Sequence, residues 1–250
     1  MTRRSRGELK RLARECLLGK YPVVIAARLG AFFLPIAVLA SFSAGLTIEL
    51  NIAFVTYLLA ALIIQLLGQL LTVGVLRMHL HLAQGQPVAF LDLFWSFRNR
   101  PDRLILATAL FYVLLAVPAA LAGAAVYFFA PEGKAGMIWI VACSFLFLVG
   151  EIFVLLTFGM IYPIYMEHEE MTVLEGFRAA KELMSGNKKR LLLLYISFIG
   201  WQLLGFFSIG IGFLWIRPYR TQTAVNFYLD LTGGLNRKGM HIDASVEGDL

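Results

Sequence analysis

The chain has 250 residues, of which 59% are hydrophobic and only 15% are charged, and its mean hydropathy is +0.75. This composition excludes an ordinary soluble globular protein. The formal net charge of +6 would suggest nucleic-acid binding in a soluble chain. Here the basic residues flank apolar segments instead, so nucleic acid is not an expected partner.

Segments without any charged residue account for about half of the chain. A hydrocarbon core of about 30 Å requires about 20 apolar residues per helix, so most of these segments are long enough to cross a membrane. They comprise residues 29–48, 52–76, 104–130, 137–150, 152–166 and 191–216. The sequence therefore predicts an all-α, polytopic transmembrane helical bundle.

The segment before the first span carries seven Lys or Arg residues. It is too long for a cleaved signal peptide, and Arg28 follows it, so we expect it to be retained. The positive-inside rule then places the N-terminus in the cytoplasm. Arg28 lies only about six residues inside the first span and can extend to the headgroups, so no functional role is expected for it.

The short connections obey the same charge rule. Residues 47–51 have no Lys or Arg and are predicted outside, whereas residues 77–103 have four and are predicted inside. Residues 131–136 have one and are predicted outside, and residues 167–190 have five and are predicted inside.

The end of the chain decides the number of spans. Five spans would leave Arg237 and Lys238 outside. Dividing the last region into residues 191–208 and a return helix over 211–231 gives six spans and returns the polar tail, 236–250, to the cytoplasm. We predict six. Five is the alternative, with the return segment lying on the outer surface.

The predicted return helix is polar for a membrane segment. Its residues Gln222, Asn226 and Asp230 recur every four positions and therefore share one helix face. Such a helix cannot face lipid, and we expect this stripe to face the bundle.

The chain is predicted to be a single membrane domain with three pseudo-repeats, 1–85, 86–170 and 171–250. Each would consist of a short amphipathic cytoplasmic helix followed by a transmembrane hairpin. An offset of 167 aligns Glu8 with Glu175 and Gly19 with Gly186, while the middle repeat matches weakly. The alternative is that any basic helix beside a membrane resembles any other.

The amphipathic helix before the fifth span is the best marked of the three. Thr172 and Glu175 have the spacing of a capping box, and Gly186 is a plausible C-terminal stop. We expect basic residues of this helix and of the N-terminal one to contact anionic lipid headgroups at the inner face. These residues are Arg11, Arg14, Arg178 and Lys181. The alternative is a solvated connector packed on the bundle.

Five polar residues of the spans form a candidate intramembrane cluster: Glu151, Gln65, Gln202, Arg217 and Arg220. Glu151 falls near the middle of its segment, where a charge costs about 3 kcal/mol and should be paired or protonated. Arg217 and Arg220 of the return helix are its natural partners. The cluster would either join helices or form a proton or solute site.

Several short motifs in the C-terminal third occur in a specific order. They are residues 181–188 (KELMSGNK), 197–204 (SFIGWQLL) and 210–215 (GIGFLW), then Pro218 with Tyr219 and Phe227 with Tyr228. In this series the chain resembles the bacterial integral membrane protein family catalogued as domain of unknown function 975. The resemblance implies a multi-pass protein of the bacterial plasma membrane and brings no activity, cofactor or catalytic residue.

No catalytic, cofactor or metal site is expected. Cys16 and Cys143 are too few for a metal or disulfide framework, and no second His follows His168 at zinc-protease spacing. The expected function is non-enzymatic, a packing or partner-binding role in the bacterial cell envelope. The alternative is a small permease or transporter with a midplane polar site around Glu151. A protein partner or a homo-oligomer is left open.

Overall fold

The structure, a computed structural model, describes residues 3–44 and 50–235. The predicted turn at residues 47–51 lies largely outside the described residues, and the tail 236–250 lies wholly outside them.

Every regular element in the described residues is a helix, which confirms the predicted fold class. The helices are α1 (Arg6–Leu17), α2 (Tyr21–Ala44), α3 (Leu50–Gln84), α4 (Trp95–Arg98), α5 (Pro101–Phe129), α6 (Lys134–Phe158), α7 (Ile161–Glu167), α8 (Val173–Met184), α9 (Lys188–Ile196), α10 (Ile199–Phe207) and α11 (Phe213–Thr232). A 3-10 turn over Phe90–Phe94 precedes α4.

Within these ranges, five helical segments are long and apolar enough to cross a membrane. They are Tyr21–Ser41, Val55–Gln84, Pro101–Phe129, Lys134–Glu167 and Lys188–Phe207. The predicted return helix exists as α11, but Arg217, Arg220 and Asp230 make it more polar than these five. The chain is thus a polytopic membrane protein, and a sixth span remains a prediction.

The chain forms two compact units. The first comprises the residues up to Ile105 together with those from Lys189 onward, and the second is Leu106–Lys188. The single domain with three pseudo-repeats stays a prediction.

In the first unit, α11 lies at the centre and packs against α1, α2, α3 and α10. α1 is amphipathic, and its apolar face, which carries Leu9, Ala13 and Leu17, is buried. This spacing of four residues is the face that a helix presents to a core. The apolar face of α1 therefore packs on protein, and its basic face remains exposed.

The connection after α3 packs closely on that helix. A Cβ atom on Gly74 would lie 2.1 Å from the carbonyl oxygen of Leu93, so glycine is required for this approach. The guanidinium of Arg77 on α3 stacks on Trp95, the first residue of α4, 3.9 Å from the ring centroid.

In the second unit, α8 packs against α6 and α7. Phe177, Ala180 and Met184 are buried on one face of α8, and the Phe177 ring lies 5.3 Å from that of Phe158. The Tyr165 hydroxyl donates a hydrogen bond to the carbonyl of Val173, at 2.7 Å. The apolar face of α8 therefore packs on protein within the second unit, and the choice between an interfacial helix and a solvated connector stays open.

The ends of α1 and α8 have the same local geometry. The Thr172 hydroxyl accepts a hydrogen bond from the N–H of Glu175, whose carboxylate accepts one from the N–H of Thr172, which confirms the predicted capping box. Ser5 and Glu8 form the same box on α1. In both boxes the backbone N–H of the first residue lowers the pKa of the glutamate. Each helix is followed by a glycine with positive φ, 71° and 75°.

In the hairpin made by α9, α10 and α11, an ion pair joins the first helix to the last. Arg190 of α9 donates a hydrogen bond to Asp230 near the end of α11, at 2.5 Å, and the N–H of Arg4 donates to the same carboxylate at 3.2 Å. The side chains of Arg190 and Asp230 are 19% and 5% exposed. The end of α11 therefore returns to the level at which α9 begins.

Replacing Asp230 with Asn tests this closure. Asp230→Asn removes the charge and leaves Arg190 buried without its counterion, so the free energy of unfolding should fall by about 2–4 kcal/mol. The measurement is denaturation in mild detergent followed by tryptophan fluorescence. Glu15→Gln is the matched control, because the Arg11–Glu15 pair is 67% and 58% exposed and should contribute less than about 0.5 kcal/mol. Equal losses in the two variants would contradict the assignment.

Candidate functional site

The hairpin of α9, α10 and α11 is interrupted between α9 and α10, and α1 contacts it at this break. α9 ends at Ile196 and α10 begins at Ile199. Lys10 of α1 donates to the freed carbonyl of Ser197 at 2.9 Å, and its ammonium lies 4.3 Å from the Phe198 ring centroid. Burial lowers the pKa of Lys10, and the nearby Arg6 and Arg14 lower it further. A basic residue of the N-terminal helix thus lies beside the break.

The turn between α10 and α11 satisfies its own polar groups. The Ser208 hydroxyl accepts from the N–H of Gly212 and donates to the carbonyl of Gly205, both at 2.8 Å. Gly210 has a positive φ of 87°, a conformation that glycine adopts without steric penalty. The side chains around the turn are apolar and strongly exposed: Phe206 71%, Phe207 84%, Ile209 93% and Ile211 62%.

The polar stripe of α11 faces the interior of the first unit, as predicted. Gln222 Nε2 donates to the carbonyl of His79 at 3.0 Å, and Gln222 Oε1 lies 2.9 Å from His79 Nδ1. Asn226 Nδ2 donates to the carbonyl of Leu9 at 3.4 Å, and Asp230 accepts from Arg190. Each residue of the stripe therefore contacts a different helix: α3, α1 and α9.

A second polar group of α11 involves three arginines, Arg28 of α2 and Arg217 and Arg220 of α11, here called the arginine site. Arg28 Nη2 donates to the Thr221 hydroxyl at 2.9 Å. Arg28 Nε is buried and has no hydrogen-bond partner in the part of the chain that the structure describes. Arg217 and Arg220 are exposed, and the Arg217 guanidinium lies 5.5 Å from the Phe213 ring centroid.

Three cavities of the first unit share Arg28 and Arg217. The first, about 380 Å³, is lined on its polar side by Gln65, Gln69 and Thr72. Its remaining lining residues are apolar and belong to α2 and α3.

The second cavity is lined by residues of α2, of the turn after α10 and of α11, and the third by residues of α10 and α11 together with Arg28. The second, about 190 Å³, is here called the apolar groove, because apart from the two arginines it is lined by Ile25, Leu29, Phe32, Phe33, Gly210, Phe213 and Leu214. The third, about 380 Å³, adds Arg220 and Gln202. No carboxylate lines any of these three cavities.

The predicted intramembrane cluster is only partly brought together. Gln65 shares the first cavity with Arg217, and Gln202 shares the third with Arg217 and Arg220. Glu151 belongs to the second unit, where it is half-buried on α6. Its pairing with Arg217 or Arg220 stays a prediction.

Arg28 is the residue that sequence reasoning missed. Its position near the end of a span indicated extension to the headgroups, whereas the structure places it against Thr221 and in all three cavities. The sequence feature that could have revealed the role of Arg28 was the presence of two further arginines, Arg217 and Arg220, in another apolar region of the chain. Only the packing of α2 against α11 connects the three arginines.

The predicted lipid-contacting residues Arg11, Arg14, Arg178 and Lys181 are all exposed. Contact with headgroups stays a prediction. Across residues 3–44 and 50–235, no group of three or more His, Cys, Asp or Glu side chains has the arrangement of a metal site.

A family model described as "Protein of unknown function (DUF975)" matches residues 1–234. No curated protein and no solved structure matches the chain. Because the match covers nearly the whole sequence, the chain belongs to the DUF975 family of proteins of unknown function.

Proposed function

We propose that this chain is a non-enzymatic protein of the bacterial plasma membrane, with a partner-binding role in the cell envelope, whose arginine site binds a phosphate or carboxylate group. The observation that carries this proposal is the sharing of Arg28 and Arg217 by three cavities without a carboxylate. A planar guanidinium pairs with oxyanions through two parallel N–H donors.

The surroundings of the arginines support an anionic partner. Like charges close together repel, and a bound oxyanion would relieve that repulsion. The buried Nε of Arg28 is a donor without a partner in the described residues, and such groups normally find one. Gln69 lines the same cavity and offers a further donor through its side-chain amide. Glu151, the centre of the alternative permease hypothesis, does not line these cavities.

Binding of pyrophosphate to protein in neutral detergent tests this proposal. We expect saturable binding by isothermal titration calorimetry, weakened at least about tenfold in Arg28→Gln and in Arg217→Gln, since each loses a charge-assisted contact worth about 1.5–3 kcal/mol. Arg11→Gln, which removes an exposed arginine of α1, is the matched control and should bind like wild type. Binding that is unchanged in both site variants, or absent from wild type, would refute the proposal.

We also propose that the N-terminus and the C-terminus both lie in the cytoplasm. The support is the charge distribution of the connections and the return of α11 to the level of Arg190.

Cysteine labelling in intact cells tests this orientation. In a background without Cys16 and Cys143, a cysteine replacing Glu132 should react with an impermeant thiol reagent. A cysteine replacing Ser245 should react only after the cells are permeabilised. Labelling of both positions in intact cells would refute the proposal that the two termini lie on the same side of the membrane. Labelling of the Ser245 position alone would refute the proposed orientation.

The basic faces of α1 and α8 are proposed to contact anionic headgroups of the inner leaflet. Arg11 and Arg14 on α1 and Arg178 and Lys181 on α8 are exposed, and each well-placed basic residue adds about 1 kcal/mol of attraction to an anionic surface.

Spin labels in lipid nanodiscs test this contact. Leu18 and Leu174, which are 77% and 60% exposed, should sense the headgroup region when labelled, because apolar side chains of interfacial helices insert there. A label at Lys181 should sense water in the same sample. Uniform water exposure at all three positions would contradict the proposal.

A further inference from the structure

The inserted part of the last hairpin is short. Above the break at Ser197 and Phe198, α10 has nine residues, or about 13 Å at 1.5 Å per residue. The hydrocarbon core is about 30 Å thick, so one leaflet contributes about 15 Å. Lys10 lies beside the break, and its ammonium belongs in water or among headgroups. A hairpin that starts at that level reaches about the middle of the bilayer.

The tip of the hairpin has the apolar composition expected of a segment that lies within the hydrocarbon core of the membrane. Phe206, Phe207, Ile209 and Ile211 are exposed around a turn whose one polar side chain, Ser208, is hydrogen-bonded within the hairpin. Unpaired backbone polar groups are too costly for the hydrocarbon core, and in this turn every backbone N–H from Ser208 to Ile216 is hydrogen-bonded within the hairpin. By contrast, the connection between α5 and α6 contains the charged residue Glu132, which favours a position in water.

The neighbours of the tip on α2 place it at the same depth. Gly210 shares the apolar groove with Leu29, Phe32 and Phe33. α2 continues beyond Phe33 to Ala44, about 16 Å farther at 1.5 Å per residue. The turn therefore lies beside the middle of α2 and not beside its outer end.

The arginine site lies near the inner end of the apolar sequence. Arg28 is about two turns into the candidate span Tyr21–Ser41, and Arg217 directly follows the uncharged residues 191–216. A long basic side chain this close to the end of a span extends to the boundary between hydrocarbon and headgroups. This is the depth of the phosphate groups of the inner leaflet.

The apolar groove extends from the arginines towards the bilayer centre. Its walls include Phe32 and Phe33, which are 53% and 57% exposed, and Phe213 and Leu214 of α11. A small free anion does not contact these apolar walls, whereas the acyl chain of a phospholipid packs against them.

We infer that an anionic phospholipid of the inner leaflet occupies the arginine site, beside a re-entrant hairpin. Its phosphate pairs with Arg28 and Arg217, and one acyl chain lies in the apolar groove. This inference rests on the proposed oxyanion site and names the molecule that carries the oxyanion.

Native mass spectrometry of delipidated protein tests the identity of the ligand. We expect phosphatidylglycerol to bind at least tenfold more tightly than phosphatidylcholine of the same chains, because only the former has a net negative charge. Affinity should rise along a series from glycerol phosphate through six-carbon to sixteen-carbon chains. Arg217→Gln should lose at least tenfold for phosphatidylglycerol, while Arg98→Gln, which removes an exposed arginine of α4, should not.

The outcomes separate this inference from the function on which it rests. Pyrophosphate binding with no dependence on chain length overturns the phospholipid and leaves the oxyanion site standing. Equal binding of phosphatidylcholine overturns the inference as well, because the arginines would then not select the headgroup. Failure to bind any anion overturns both. The chain-length series uses wild-type protein and so remains decisive if an arginine variant does not fold.

The depth of the hairpin is measured separately. Nitroxide labels on cysteines replacing Phe207 and Ile211 should be far more accessible to oxygen than to a water-soluble nickel complex, as at the bilayer centre. A label at Glu132 is the water-exposed control. Nickel accessibility at Phe207 and Ile211 equal to that at Glu132 would mean that the hairpin crosses the whole membrane, and would overturn the re-entrant geometry.

Discussion

The hydrogen bonding of α11 is the constraint on which the first unit depends. This helix carries two arginines, one aspartate and two amides within 20 residues, a composition that is unfavourable in a membrane unless the polar groups are paired. Gln222, Asn226 and Asp230 meet that requirement by contacting α3, α1 and α9 in turn. The same contacts hold the N-terminal helix against the C-terminal hairpin, so the two ends of the chain form one structure.

The two polar groups of α11 lie on opposite faces. At about 100° per residue, Arg217 and Asn226 are about 180° apart around the helix axis. The Asn226 face is satisfied within the protein, whereas the Arg217 face opens into cavities without a carboxylate. This division between a closed and an open polar face supports the proposed binding of an oxyanion at the arginine site.

Much of the local structure follows from the sequence because it depends on neighbouring residues. Thr172 and Glu175 form the predicted cap, and the stripe of α11 faces inward as its spacing indicates. The apolar segments become helices because backbone groups in hydrocarbon must be paired within the segment. What the sequence could not supply is which helices are neighbours. Arg28 was therefore read as an isolated charge, although it packs against Thr221 of α11.

The depth of the last hairpin illustrates the same limit in physical terms. A run of 26 uncharged residues, 191–216, would extend about 39 Å as one helix, enough to cross a membrane, and hydropathy alone does not distinguish this from a path that enters and returns. Charge counting does not decide either, because six spans and a re-entrant hairpin both return the C-terminus to the inner side. The deciding features are three-dimensional. Lys10 marks the level of the break, Gly210 marks the tip, and the groove shared with Phe32 and Phe33 sets the tip beside the middle of α2. Since a charged side chain and an apolar turn prefer different depths, their separation along the hairpin limits how far it can extend into the bilayer.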